Sequence, residues 1–255
     1  MSCRITTLLV FLVSACTAHA QDTMVLNTCH RSPYHFEDQS GITDRLLHEA
    51  FQRMGREVII KALPAERALI NANAGVEDGD AARMEGIEKL YPDLIRVPEV
   101  FLRGELVAFS KKSFPITDWK SLNPYNVAII KGHQKARSML DNPASVLEVQ
   151  EFDLLFELLE KDRADVVICE RYEGLETLKA LGIRDVRIYE PPLLTLDVYV
   201  YLHKKHSELV PALAQALQEM KEDGTFTRFL SEFEAGLHQP DSPDGQAVDE
   251  GPGMK

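Results

Sequence analysis

Long apolar runs are scarce in this 255-residue chain, and the absence of one beyond its start argues against a membrane-spanning helix. Cysteine is rare, with four in all, and there is a single tryptophan, Trp119. Basic residues are outnumbered: 28 Lys and Arg against 40 Asp and Glu leave a formal net charge of −12, an acidic balance that argues against nucleic acid or an anionic membrane face as partner. No G-x-x-x-x-G-K-[ST] loop occurs, so a nucleotide-hydrolysing role is not indicated. Neither a G-x-S-x-G elbow nor an H-E-x-x-H pair is present, and no Ser/His/Asp set stands out. Repeats at solenoid spacing are also missing.

What is present begins with "MSCRITTLLVFLVSACTAHA". Arg4, an apolar stretch from about Ile5 to Ala15 and the ending Ala18-His19-Ala20 have the three-part layout of a secretory signal, cut before Gln21. Val13-Ser14-Ala15-Cys16 offers a competing lipoprotein cut that would leave Cys16 lipidated. Either route places the protein outside the cytoplasm, most simply in a Gram-negative periplasm. Cleavage at Ala20 leaves Cys29 and Cys169 as the only thiols. At the other end, "LHQPDSPDGQAVDEGPGMK" is poor in large apolar residues and reads as a disordered tail from about residue 237.

Between these ends, strands and helices alternate. Met24–Cys29 reads as a strand. "GITDRLLHEAFQRMG" sets Ile42, Leu46, Leu47, Ala50 and Phe51 at helical spacing, with Gly55 as the stop. "REVIIKAL" is strand-like, and "PAERALINANAG" is a helix with proline at its start. "YNVAIIKG", "SVLEVQ", "ADVVICE" and "VRIYE" follow as strands separated by helical stretches, the clearest being "FDLLFELLEKDR". "LDVYVYLHKK" is a further strand, and two helices around Gly224 close the pattern. Such alternation specifies an α/β fold, with parallel sheet covered by helices.

The segments "SPYHFEDQSGITDRLLHEAFQRMG", "VAIIKGHQ", "ADVVICE" and "LVPALAQALQEMKEDGTFTRFL", in that order over residues 24–233, resemble the family 3 extracytoplasmic solute-binding proteins. That family includes the histidine-, glutamine- and lysine/arginine-binding proteins of ABC transporters. The resemblance implies a two-lobed periplasmic-binding-protein type II fold, with two crossing strands near Val107–Lys111 and Leu196–Leu202 and a ligand cleft between the lobes. Lobe 1 would comprise residues 21–109 plus 197–236, and lobe 2 residues 110–196, after a signal peptide at 1–20. Cys29 and Cys169 would then flank the cleft from opposite lobes, too far apart to pair, with Cys169 a buried structural thiol.

Candidate binding residues follow. Ligands of open parallel sheets meet the loops at the carboxyl ends of strands, so "CHRSPYHF" falls on the cleft rim and Tyr34 faces a ligand. Phe36 either joins it or packs on the neighbouring helix. Cys29, His30 and His35 supply at most three metal ligands, with nothing evident to complete the set; no metal or cofactor is expected. Arg83 is placed to clamp a carboxylate with paired hydrogen bonds, unless it pairs instead with Glu85 or Asp80. Arg67 is a second clamp, beside Glu66. The family carries its arginine about a turn into the next helix after a Ser/Thr run, which "DAARMEGIEKL" lacks. Gly132 and His133, before a helix start, could cradle an anion. Glu170 stands where the resemblance implies an acidic residue for an amino group, unless it pairs with Arg171 or Lys131. His203 and His206 read as a solvated strand end.

The expected function is non-enzymatic: a monomer closing on a small anionic or zwitterionic metabolite and delivering it to an ABC-type permease. The same cleft would serve a ligand-sensing partner of a membrane sensor. A third reading, a dehydratase acting on a cyclic carboxylate, would use Glu170 with Arg83.

Overall fold

The computed structural model describes residues 23–30, 32–131 and 133–238. Residues 1–22, where the signal peptide is expected, Arg31, Gly132 and residues 239–255, where the tail is expected, lie outside the described residues. In chain order the elements are β1 (Met24–Thr28), α1 (Ile42–Arg53), β2 (Val58–Ala62), α2 (Ala65–Asn73), β3 (Gly79–Met84), β4 (Leu94–Arg96) and β5 (Leu102–Ser110). There follow β6 (Asn126–Ile130), α3 (Gln134–Met139), β7 (Ser145–Val149), α4 (Phe152–Glu160), β8 (Val166–Glu170) and α5 (Arg171–Ala180). The chain continues through β9 (Arg187–Ile188), β10 (Leu194–His203), α6 (Val210–Glu222) and α7 (Thr225–His238).

Strands run in the order β2-β1-β3-β10-β5-β8-β6-β7, with β4 beside β10 and β9 beside β5. Each flank is parallel: β1 lies between β2 and β3, and β6 between β7 and β8. The centre is antiparallel, with Leu102–Leu106 of β5 paired to Val198–Leu194 of β10. This pair is the crossing between two lobes. On β5 it lies earlier than the sequence reading places it, because Leu106–Phe109 are already paired with β8 in the second lobe.

Each lobe has its own core. In the first, the apolar stripe of α1 (Ile42, Leu46, Leu47, Phe51) packs with Leu26, Ile60, Leu213, Leu217 and Met220. In the second, the strands are covered on both sides, which explains their near-continuous apolar sequence. Val107, Phe109, Val167 and Cys169 face α4 residues Leu155 and Phe156. Their neighbours Ala108, Val166 and Ile168 face Leu122 and Ala136. Alternation along one strand thus feeds two separate packings.

Three expectations are corrected. Helix α7 continues through Leu237 to His238, where the sequence reading begins the tail. His203 is buried and accepts the Lys205 N–H at 3.2 Å, while His206 Nε2 lies 2.7 Å from Asp78, so this strand end is a capped and paired corner. Phe36 is exposed, because Asp44 turns the chain outward there. Cys29 and Cys169 are both free thiols.

Candidate ligand-binding site

A cavity of about 560 Å³ lies between the lobes. Cys29, His30, Tyr34 and Arg83 line it from the first lobe, and His133, Lys135, Glu170 and Glu173 from the second. Leu102, Leu106, Leu196 and Val198 of the crossing strands form an apolar floor. A smaller cavity of about 430 Å³ lies behind Tyr34 and Leu102, but its Lys221 ammonium is already engaged by Glu99 and by the Val100 carbonyl. The larger cavity differs in holding buried polar atoms without partners.

One of these is Glu170 Oε1. Glu170 ends β8 and caps α5: Oε2 accepts the N–H groups of Tyr172 at 2.8 Å and Glu173 at 3.0 Å. That cap fixes the carboxylate on the cavity wall and satisfies two orphan donors of the helix. Burial pushes its carboxyl above the usual range, against the pull of the Glu173, Tyr172 and Glu105 N–H groups and of hydrogen bonding by the Tyr34 phenol. The Tyr34 phenol is in turn raised by burial and by the facing Glu170 charge.

The second is His30 Nδ1. Burial, reinforced by the Arg83 charge, lowers this imidazole to about 4, so it is neutral over the physiological range. Its ring centroid lies 5.2 Å from that of Tyr34.

Arg83, at the end of β3, is held rather than free. Nε donates to Asp80 Oδ1 at 2.9 Å and Nη2 to Asp80 Oδ2 at 3.0 Å. Nη2 also donates to the Ala65 carbonyl, and Nη1 to Cys29 Sγ, both at 3.2 Å. Asp80 is fully buried. Burial is the largest influence and lowers the guanidinium pKa, but the charge and hydrogen bonds of Asp80, with Cys29 and Tyr91, together outweigh it and the net direction is up. Breaking a buried pair by removing one partner costs about 3–5 kcal/mol, so Asp80 holds its arginine firmly. Burial also pushes the Cys29 thiol up, with Arg83 opposing; this is no activated nucleophile.

No protein-family model matches the chain. An uncharacterised protein of Shewanella oneidensis is 28% identical over 200 residues, 74% of each chain. Among solved structures, the chain is similar to the GluR0 ligand-binding core in complex with L-glutamate, with TM-score 0.70 and 11% identity over 84% of this chain and 99% of that one. An ancestral arginine-binding protein bound to arginine matches at TM-score 0.65 and 20% identity, with the same coverages of 84% and 99%. A histidine kinase sensor domain with similarity to periplasmic binding proteins matches at TM-score 0.65 and 14% identity, over 83% and 96%. The fold is that of a solute-binding protein.

In this solute-binding fold, Tyr34, Arg83, His133 and Glu170 converge on the larger cavity from both lobes. His133 is half-buried with its pKa lowered by burial, and its ring faces Phe152 at 6.4 Å. Arg67 is exposed on α2 and lines neither cavity. Gly132 lies outside the described residues. Of the alternatives for Glu170, Arg171 is instead bound to Glu105 and Glu190. Among the described residues, no group of three or more His, Cys, Asp or Glu converges as a metal site.

Sequence reasoning missed His30, Glu173 and Lys135. It weighed His30 only as a metal ligand, with the strand running to Cys29. Strand β1 ends at Thr28, and the turn beyond it brings both side chains to the cavity. Glu173 had a legible signal, since it follows Glu170 by one helical turn at i, i+3.

Proposed function

We propose that this chain is an extracytoplasmic solute-binding protein that closes on a small polar metabolite by a hinge motion of its lobes about β5 and β10. One observation carries the reading: two buried, unpartnered polar atoms, Glu170 Oε1 from the second lobe and His30 Nδ1 from the first, line one interlobe cavity. A buried polar group without a partner is destabilising, and a polar solute between the lobes supplies partners to both walls at once. Closure thereby gains differential binding energy for the closed state.

Delivery to an ABC-type permease is the expected use of the closed form. The similarity to a histidine kinase sensor domain favours a second use, presentation to a membrane sensor. Capture of membrane proteins from the native host on immobilised protein, with and without ligand, separates the two by whether a permease or a kinase is retained. Binding without turnover is proposed for both.

The test is a thermal-shift screen of the mature protein against amino acids, organic acids and amines. Ligand at 100 times its Kd adds about 2.7 kcal/mol of stability. A hit that shifts the wild type and leaves Glu170→Ala unmoved supports the cavity as the site. A hit indifferent to Glu170, His30 and Tyr34 together would remove it.

A further inference from the structure

Resting on the solute-binding reading, we propose that the cleft selects an organic amine that carries no carboxylate, its ammonium held by Glu170 and His30, with Asp80 withdrawing Arg83 from carboxylate recognition. An acidic residue for an amino group at position 170 is what the family resemblance implies; the new element is Asp80 and its consequence for ligand class.

The argument begins with donor accounting. A guanidinium has five N–H groups, and four of the five in Arg83 are taken: two by Asp80, one by the Ala65 carbonyl and one by Cys29 Sγ. Paired recognition of a ligand carboxylate needs two parallel donors, and the single N–H that remains cannot provide them. Recruiting the others would strand the Asp80 carboxylate, which is 0% exposed. A ligand carboxylate would also sit close to that buried negative charge.

The acceptors point the other way. Glu170 Oε1 and His30 Nδ1 are both buried and unpartnered on this cavity. In the tautomer protonated at Nε2, His30 Nδ1 is an acceptor, and an ammonium brings three donors. Glu173, one turn along α5, adds negative charge to the same wall. Of the remaining cations, Arg103 is paired with Asp197 at 3.0 Å across the crossing strands. Lys135 is exposed on the first turn of α3, where water and salt screen a point charge. The floor of Leu102, Leu106, Leu196 and Val198 suits the hydrocarbon body of an amine.

The experiment measures Kd by calorimetry on the mature protein for pairs differing only by the carboxylate: cadaverine and lysine, agmatine and arginine, phenethylamine and phenylalanine. The amine of at least one pair should bind about tenfold or more tighter than its amino acid. Glu170→Gln should weaken that amine by about tenfold or more, and Asp80→Asn, which leaves Arg83 its charge but no competing anion, should shift preference toward the amino acid by a similar factor. Should Asp80→Asn fail to fold, pH serves instead: because burial raises the Glu170 carboxyl above the usual carboxylate range, amine affinity should rise with pH as Glu170 ionises, with His30 already neutral and Arg83 still charged. An amino acid that binds as tightly as its amine, with binding lost in Glu170→Ala, would overturn the amine assignment and leave solute binding standing. Failure of every member of both classes to bind would sink both.

Discussion

Asp44 Oδ1 lies 2.7 Å from His35 Nδ1, and Oδ2 of the same carboxylate accepts the N–H groups of Phe36 at 3.2 Å and Gly41 at 3.0 Å. This one side chain, fully buried in the first turn of α1, folds the loop after β1 back on the helix that follows it. The Tyr34 carbonyl accepts the Thr43 N–H at 3.0 Å in the same knot, which sets where the tyrosine stands on the cavity wall. Asp44→Ala strands three donors in a dry site and should lower unfolding free energy by about 3–5 kcal/mol. Urea denaturation measures it; a loss below about 1 kcal/mol would mean that the loop is held by other contacts.

Two glycines that face β10 should respond to the same substitution with very different losses of stability. A Cβ on Gly79 would lie 2.1 Å from the Tyr201 carbonyl oxygen and 3.1 Å from Leu202 Cα, both backbone atoms of the neighbouring strand. A Cβ on Gly104 meets nothing nearer than the Leu196 oxygen at 3.9 Å. Gly79→Ala should therefore destabilise by about 3 kcal/mol or more, and Gly104→Ala by less than about 0.5 kcal/mol. Thermal unfolding of the two variants side by side is the check, and equal shifts would refute the register of β3 on β10.

The fold was legible because its signals are local. Alternating strands, the stripe of α1 and the long apolar runs of the second lobe are each set by periodicity over a few residues. The site was less legible because its key relations are spatial. Pairing of Arg83 with Asp80 was one of two alternatives open in the sequence, beside Glu85, and the choice depends on how β3 ends, because side chains three apart in a strand ordinarily diverge. His30 reaches the cavity only because β1 stops one residue earlier than its apolar pattern suggests. Tyr172 has no signal at all until α5 and α7 are brought together by the crossing strands.

That contact between lobes is itself testable. Tyr172 of α5 donates to Glu234 of α7 at 2.6 Å, and its ring lies 5.1 Å from Phe233 and 6.1 Å from Tyr34. A charge-assisted hydrogen bond contributes about 1.5–3 kcal/mol and an aromatic pair about 0.5–1.5 kcal/mol. Tyr172→Ala should speed amide exchange in α7 by about tenfold or more with β6 to β8 unchanged. Tyr172→Phe keeps the ring and separates the two contributions: protection close to wild type assigns the contact to packing, and protection close to the alanine variant assigns it to the hydrogen bond.

His30 makes the fold acid-sensitive in a defined window. Its imidazole falls from 6.5 to about 4 in the folded protein, first through burial and then through Arg83. Between those values the unfolded chain binds the proton and the folded chain does not, so stability is lost as pH falls from about 6.5 to about 4. At about 1.4 kcal/mol per pH unit the full loss is about 3.4 kcal/mol, most of it reached by about pH 4. Glu170 and Asp80, both raised by burial, act with the opposite sign, because the folded chain takes up their protons first. Their effect is common to the wild type and to His30→Asn, which cannot titrate, so the difference between the two isolates the histidine. Urea unfolding at pH 7, 5.5 and 4 should show the wild type losing about 2–3 kcal/mol more than His30→Asn across the range. Parallel pH profiles would mean that position 30 is wet enough to protonate in the folded state, and that Nδ1 is no buried acceptor for a ligand.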